Sequence, residues 1–105
     1  MWSVEYLPAA AQEEAALGVD MQARLARMVD VLSLQGMQNL PRDWSKPLGG
    51  GLWELRITGR NGIARAIYVM AKAKRVVIVR VFVKKTQKTP AREIALARQR
   101  AKEVT

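Results

Sequence analysis

Three apolar segments follow one another in the second half of the chain, Leu52 to Thr58, Ile63 to Ala71 and Val76 to Val83, with only a few residues between them. Nothing else in the sequence narrows the fold as much. Asn61-Gly62 separates the first two, and an Asn-Gly pair suits a type I′ turn, which needs positive φ at both central residues. The stretch "KAKR" separates the last two, with Ala73-Lys74 as its turn. An antiparallel meander is the expected outcome.

Two-residue turns at those positions set a register, and the register sorts side chains between two faces. With Asn61-Gly62 as the turn, Arg60 faces Ile63, Thr58 faces Arg65 and Arg56 faces Ile67. With Ala73-Lys74 as the next, Ile67 faces Arg80 and Arg65 faces Phe82. One face then holds Arg56, Arg65, Arg80 and Lys84 around Phe82 and Ile67. The other collects Trp53, Leu55, Ile57, Ala66, Tyr68, Met70, Val77, Val79, Val81 and Val83, an apolar surface for helices to cover. Four basic side chains converging on one face repel one another, so a bound polyanion is the use that offsets the repulsion. Guanidinium groups hold phosphates bidentately and an aromatic ring stacks on an unpaired base, which makes such a face suited to RNA.

The flanks read as helices. "WSVEYL" alternates and is stopped by Pro8, giving a short strand, and Ala9 to Leu17 is a strong helix former ended by Gly18. Asp20 is the expected N-cap of a second helix whose Met21, Leu25, Met28, Val29 and Leu32 fall on one stripe, up to Gly36. "LPRDWSKPLGGG" reads as a connector. At the end of the chain Thr89 suits an N-cap and Pro90 the first helical position of a helix with a thin stripe of Ile94, Ala97, Ala101 and Val104. The expected class is α+β: an N-terminal strand and a two-helix hairpin on an antiparallel sheet, then a C-terminal helix, in one domain over residues 1–105.

Charge is segregated along this frame. Residues 1–51 carry four Lys/Arg against six Asp/Glu, whereas residues 52–105 carry fourteen against three, within a net charge of +9. A basic half beside a mildly acidic one fits a domain that presents one side to nucleic acid. The chain has neither cysteine nor histidine. Thiolate metal sites, disulfides and the commonest general base are thereby excluded, and neither metal nor cofactor is called for. No apolar run has the length of a membrane span and the N-terminus lacks the pattern of a signal peptide, so a cytoplasmic protein with no membrane partner is expected.

At "LWELR", "GIARAIYVM" and "FVKKTQKTPAREIALA" the chain resembles HigB-type toxins of the RelE/ParE superfamily, in the phage-derived branch, over roughly residues 3 to 104. The resemblance implies a RelE-like fold whose concave face is an endoribonuclease site that cleaves mRNA in the ribosomal A site and so inhibits translation. It also implies a cognate helix-turn-helix antitoxin, HigA-like, alongside the ribosome and mRNA as partners. Carried over by position, Arg56 lies on a strand that supplies basic site residues, Arg65 corresponds to the arginine that holds the scissile phosphate, and Arg80, Lys84, Lys85 and Lys88 line the site. Lys72, Lys74 and Arg75 at the hairpin tip, with Phe82, complete the expected RNA contacts. The chain departs from the family where relatives place a histidine or tyrosine for proton transfer.

RNA can be cut through its own 2′-hydroxyl if the protein aligns the nucleotide, stabilises the oxyanions and moves protons. Arg56, Arg65 and Arg80 suit the first two tasks. Lys84 or Lys85, crowded by arginines, is the candidate for the third. Two other readings stay open, a ParE-like inhibitor of DNA gyrase and a non-catalytic module that binds RNA or an antitoxin.

Overall fold

A computed structural model describes residues 1–60, 62–85 and 88–104. Strand β1 (Ser3–Tyr6) leads into helices α1 (Pro8–Ala15) and α2 (Val19–Gln35), and a single 3-10 turn (Met37–Asn39) follows. Strands β2 (Ser45–Gly49), β3 (Leu52–Gly59), β4 (Gly62–Ala71) and β5 (Arg75–Lys84) come next, followed by α3 (Ala91–Ala101). The strands form one sheet in the order β1-β5-β4-β3-β2. β1 runs parallel to β5 and the other pairs are antiparallel, so the expected α+β arrangement holds with a mixed sheet. No described helix is long and apolar enough to cross a membrane.

The stripe on α2 buries as its spacing requires: Leu25 and Leu32 are fully covered and Met21 and Met28 nearly so, against Leu55, Ile57, Ala64, Ala66 and Tyr68 of the sheet. Each such side chain contributes about 1.5–3 kcal/mol by leaving water. The helix starts earlier than expected, with Gly18 as its N-cap. Asp20 instead accepts the Arg60 N–H at 2.7 Å, and that bond leads the causes that hold its carboxyl below the usual range. At the other end Gly36 has φ +79°, and a Cβ there would lie 2.7 Å from the Trp2 indole nitrogen. Only glycine both turns the chain and admits the indole.

Register is where expectation and structure part. Arg56 lies directly opposite Arg65 and Gly59 opposite Gly62, so the β3–β4 turn is centred one residue earlier than Asn61-Gly62. Asn61 itself lies outside the described residues. The pairing shifts by two residues, an even number, and the faces survive. In the second hairpin Arg65 opposite Phe82 and Ile67 opposite Arg80 match the expected pairs, but a bulge follows and Tyr68 pairs with Ile78. Ala73 and Lys74 do take positive φ, at 61° and 56°. The bulge exchanges the faces of the β5 residues before it: Val76 and Ile78 join the α2 core, while Val77 and Val79 join a second cluster with Leu52, Ile67, Phe82 and Ala97. The expected connector also contains an element, since Ser45–Gly49 pairs with β3 as an edge strand. Its Pro47 is tolerated because it sits at the edge, next to an irregularity in the pairing.

Helix α3 covers that second cluster with the expected stripe, Ala97 fully buried and Ile94, Ala101 and Val104 beside it. Polar ties reinforce the thin apolar contact. Glu13 of α1 binds both Arg80 and Arg100, and Arg80 Nε donates to Glu93 of α3 at 2.7 Å. Where β1 has ended, Glu13 also accepts the Val81 N–H at 3.1 Å and Arg100 donates to the Val79 carbonyl at 2.9 Å, which satisfies the exposed edge of β5. Burial alone would raise the Glu13 carboxyl, but Arg100, the Val81 N–H and Arg80 together hold it below the usual range. A lowered carboxylate stabilises the fold above its unfolded value and loses that contribution as pH falls through the folded one. Protection of the α3 amides, taken relative to intrinsic exchange at each pH, is therefore expected to fall as pH drops below about 4.3, the ordinary value for Glu. Protection of α3 unchanged to about pH 2–3, well below that value, would show that apolar packing alone holds the helix.

Candidate functional site

Alternate residues of β3 point to the α3 side of the sheet, and beyond the end of α3 this side turns cationic. Arg56 on β3 and Arg65 on β4 are directly opposed, with Phe82 of β5 paired to Arg65 and Lys84 two residues further on. Lys46 of β2 pairs with Glu54 and adds a further charge. The arrangement is costly in electrostatic terms. Burial, followed by Arg65, Arg56 and Lys46, lowers the Lys84 ammonium, with Glu54 opposing. Burial also lowers the Arg65 guanidinium, with Arg56 adding to the effect and Glu54 again opposing.

Arg65 is held from below. It is only 2% exposed, its Nη1 donates to the Ala64 carbonyl at 2.9 Å, and its Nε lies 3.6 Å from Glu54 Oε1. That separation gives charge pairing without a hydrogen bond, and the buried Nε has no hydrogen-bond partner among the described residues. Glu54 itself is 1% exposed and accepts the Thr89 hydroxyl at 2.6 Å. Thr89 thus anchors the segment after β5 to the floor of the site. It does not cap α3, whose N-cap is Pro90.

The sequence-predicted residues fall into three groups. Arg56, Arg65 and Lys84 are brought together, and Lys85, exposed at the end of β5, and the exposed Lys88 lie on the segment that Thr89 anchors. Arg80 shares the face but is taken by Glu13 and Glu93, with its guanidinium 5.6 Å from the Phe82 ring centroid. Phe82 is 7% exposed beneath α3 and packs in the second core cluster, which leaves little of its ring open for the expected stacking. Lys72 and Lys74 are exposed at the hairpin tip, and Arg75 binds Glu5 at 2.8 Å. That tip lies several residues along β4 from Arg65, roughly 20 Å away. Sequence reasoning missed Glu54 and Thr89 as a pair and Lys46 altogether. Glu54 was legible in part, since it shares strand parity with Arg56.

A cavity of about 550 Å³ opens at this end of the sheet, with Arg56 and Arg65 on one wall and residues of α2 on the other. Tyr68, the tyrosine nearest in sequence to Arg65, faces the opposite core, fully buried with its hydroxyl 2.7 Å from that of Ser45.

The architecture is that of RelE proteins. The chain superposes on an Escherichia coli RelE toxin mutant in the free state with a TM-score of 0.68 at 16% identity, covering 94% of this chain and 96% of that one. It is similar to the RelE–RelB complex of Pyrococcus horikoshii OT3, with a TM-score of 0.55, 21% identity and coverage of 78% and 93%. The intact E. coli RelBE toxin–antitoxin complex gives 0.54, 20%, 82% and 100%. At these identities the likeness speaks for the fold. No curated protein is a significant match. Residues 12–102 match the family described as phage derived protein Gp49-like (DUF891), and the chain belongs to that family.

Proposed function

We propose that this chain is the toxin of a type II toxin–antitoxin pair, of the HigB-like branch, and that it cuts mRNA at the ribosomal A site. Family membership and the RelE fold support the reading, but one observation carries it. Arg56 and Arg65 stand directly opposed and both line the cavity, on a face that also gathers Lys84 and Lys46. A phosphate group supplies the negative charge that offsets this crowding of cations.

In the proposed reaction the 2′ oxygen attacks the adjacent phosphorus in line, the bond from phosphorus to the 5′ oxygen breaks, and a cyclic phosphate and a 5′-hydroxyl result. Arg65 and Arg56 hold the non-bridging oxygens as negative charge grows on them. One proton leaves the 2′-hydroxyl and one arrives on the 5′ oxygen. Lys84, whose ammonium form is disfavoured by burial and by its neighbours, serves this transfer with Lys85 beside it. Glu54 is too deeply buried to meet RNA and acts by positioning Arg65 and Thr89. Alignment of the mRNA by the ribosome offsets the absence of histidine. An antitoxin is the expected partner, as two of the similar structures are complexes with RelB or of RelBE; a compact helix-turn-helix protein of HigA type is the form proposed here.

The test is expression of the chain alone in growing cells. Incorporation of labelled amino acids should fall before DNA synthesis does, and mapped mRNA 5′ ends should accumulate within reading frames. DNA synthesis failing first, with intact messages and inhibited gyrase supercoiling in vitro, would move the protein to the ParE-like reading.

A further inference from the structure

The cavity beside Arg65 extends past the sheet, and its far wall is not explained by the chemistry above. That wall is Arg24 and Arg27 of α2, with Trp44 at the rim. We infer that this cleft holds the single-stranded RNA next to the scissile phosphate, with Arg24 and Arg27 gripping its phosphates and Trp44 stacking on a base. The inference rests on the nuclease reading and names where its substrate runs.

The cleft exists because β2 stops short. β2 pairs with β3 only as far as Leu55, and the last bond on that edge is the Arg56 N–H donating to the Trp44 carbonyl at 2.7 Å. Beyond it the outer edge of β3 has no strand beside it among the described residues. Thr58, two residues on, turns its backbone the same way as Arg56 and presents polar groups to the cavity. The bond to Arg56 also fixes the backbone of Trp44, whose side chain is partly buried against the α2 core and so offers only part of its surface.

The charges point to an anion. Arg24 and Arg27 are three residues apart on one helix face, where like charges destabilise the helix. Both are exposed, and no carboxylate lies within ion-pair distance of Arg24, Arg27 or Arg56 among the described residues. Asp20, one turn before Arg24, accepts the Arg60 N–H and feels Arg24 only as the last of the causes that lower its carboxyl, and Asp43 is the one acid among the described residues that line the cavity. Four arginines against one aspartate, around a volume within the usual range of about 300–1,000 Å³ for ligand sites, fit a stretch of one or two nucleotides. Stacking on Trp44 adds affinity without base preference, because every base has a π-face.

The experiment uses the full chain and a short single-stranded oligoribonucleotide made uncleavable by 2′-O-methylation, carrying 4-thiouridine for crosslinking. Arg24→Ala with Arg27→Ala should weaken binding about tenfold at about 0.1 M salt and reduce the salt slope by roughly 1.4, or about 0.7 for each phosphate that an arginine no longer neutralises. Alanine suits the exposed helix, so the thermal midpoint should hold. Photocrosslinks should fall on Trp44 or its neighbours, and Trp44→Leu should lower their yield. Undiminished affinity and slope in the double variant, with wild-type cleavage retained, would overturn this inference while leaving the nuclease reading intact. Loss of binding to an antitoxin with RNA binding unchanged would overturn it too and assign the cleft to an acidic protein segment. Wild-type protein that neither binds nor cuts RNA on the ribosome would overturn both.

Discussion

Replacing Arg65 with alanine should lower ribosome-dependent RNA cleavage by roughly a hundredfold, equivalent to about 2.7 kcal/mol of transition-state stabilisation. The size follows from burial. A donor inside the protein, with its neighbours already desolvated, acts on a developing oxyanion more strongly than one in water. Arg65→Lys should fall almost as far, since an ammonium has no planar fork with which to hold two phosphate oxygens at once. Lys72→Ala and Lys74→Ala, at the exposed hairpin tip, should instead weaken ribosome binding mainly at raised salt. The measurement is single-turnover cleavage of mRNA on programmed ribosomes, normalised to folded protein. Equal losses at Arg65, Lys72 and Lys74 would reduce the face to an electrostatic footprint and remove Arg65 from the chemistry.

The second large effect is on stability. Glu54→Ala removes the carboxylate paired with Arg65 and the acceptor of the Thr89 hydroxyl, all of them buried. Breaking a buried pair in this way costs about 3–5 kcal/mol, because the remaining charge is left without compensation. For a domain of this size the melting midpoint should drop by more than about 10 °C. Glu54→Gln keeps an acceptor for Thr89 and should lose less, yet it leaves the Arg65 charge unpaired. Calorimetry of the three proteins separates the contributions of hydrogen bond and charge. A midpoint for Glu54→Ala within a degree or two of wild type, far inside that range, would mean that solvent already compensates Arg65.

How much of this was legible depended on whether a polar residue marked the choice. That Arg56 and Arg65 share one face was readable because β3 alternates charged and apolar side chains, so a turn misplaced by one residue changed the partners and not the faces. In β5 the run Val76-Val77-Ile78-Val79 carries no such marker, and either parity looks equally apolar. The bulge there could not be read, and the faces of four residues were exchanged. The ion pairs of Arg80 were illegible for another reason. Its partners Glu13 and Glu93 sit 67 and 13 positions away, on helices whose placement no local pattern specifies. The second strand hid behind Pro47 and three glycines, which signal a loop everywhere except at a sheet edge. Thr89 before Pro90 looked like a helix cap because local hydrogen bonds are the ordinary expectation for threonine, whereas the hydroxyl goes to a strand 35 residues back.

β1 pairs with β5 in parallel, Ser3 with Arg75 through Tyr6 with Ile78. The strand that leaves the ribosome ahead of the others in this sheet is therefore among the last to find its neighbour, and until then its backbone and the edge of β5 have no partner. Glu54, Arg65, Lys84 and Thr89 likewise come from β3, β4, β5 and the segment before α3, and they meet only when α3 is about to form. Chain growth from N- to C-terminus thus imposes an order of events: the α1–α2 hairpin and the β3–β4 hairpin, with its Glu54–Arg65 pair, can form early, but the sheet closes and Glu54 gains the Thr89 hydroxyl only once β5 and Thr89 have been made. A nascent chain that stops short of them leaves the buried Glu54–Arg65 pair without its cover.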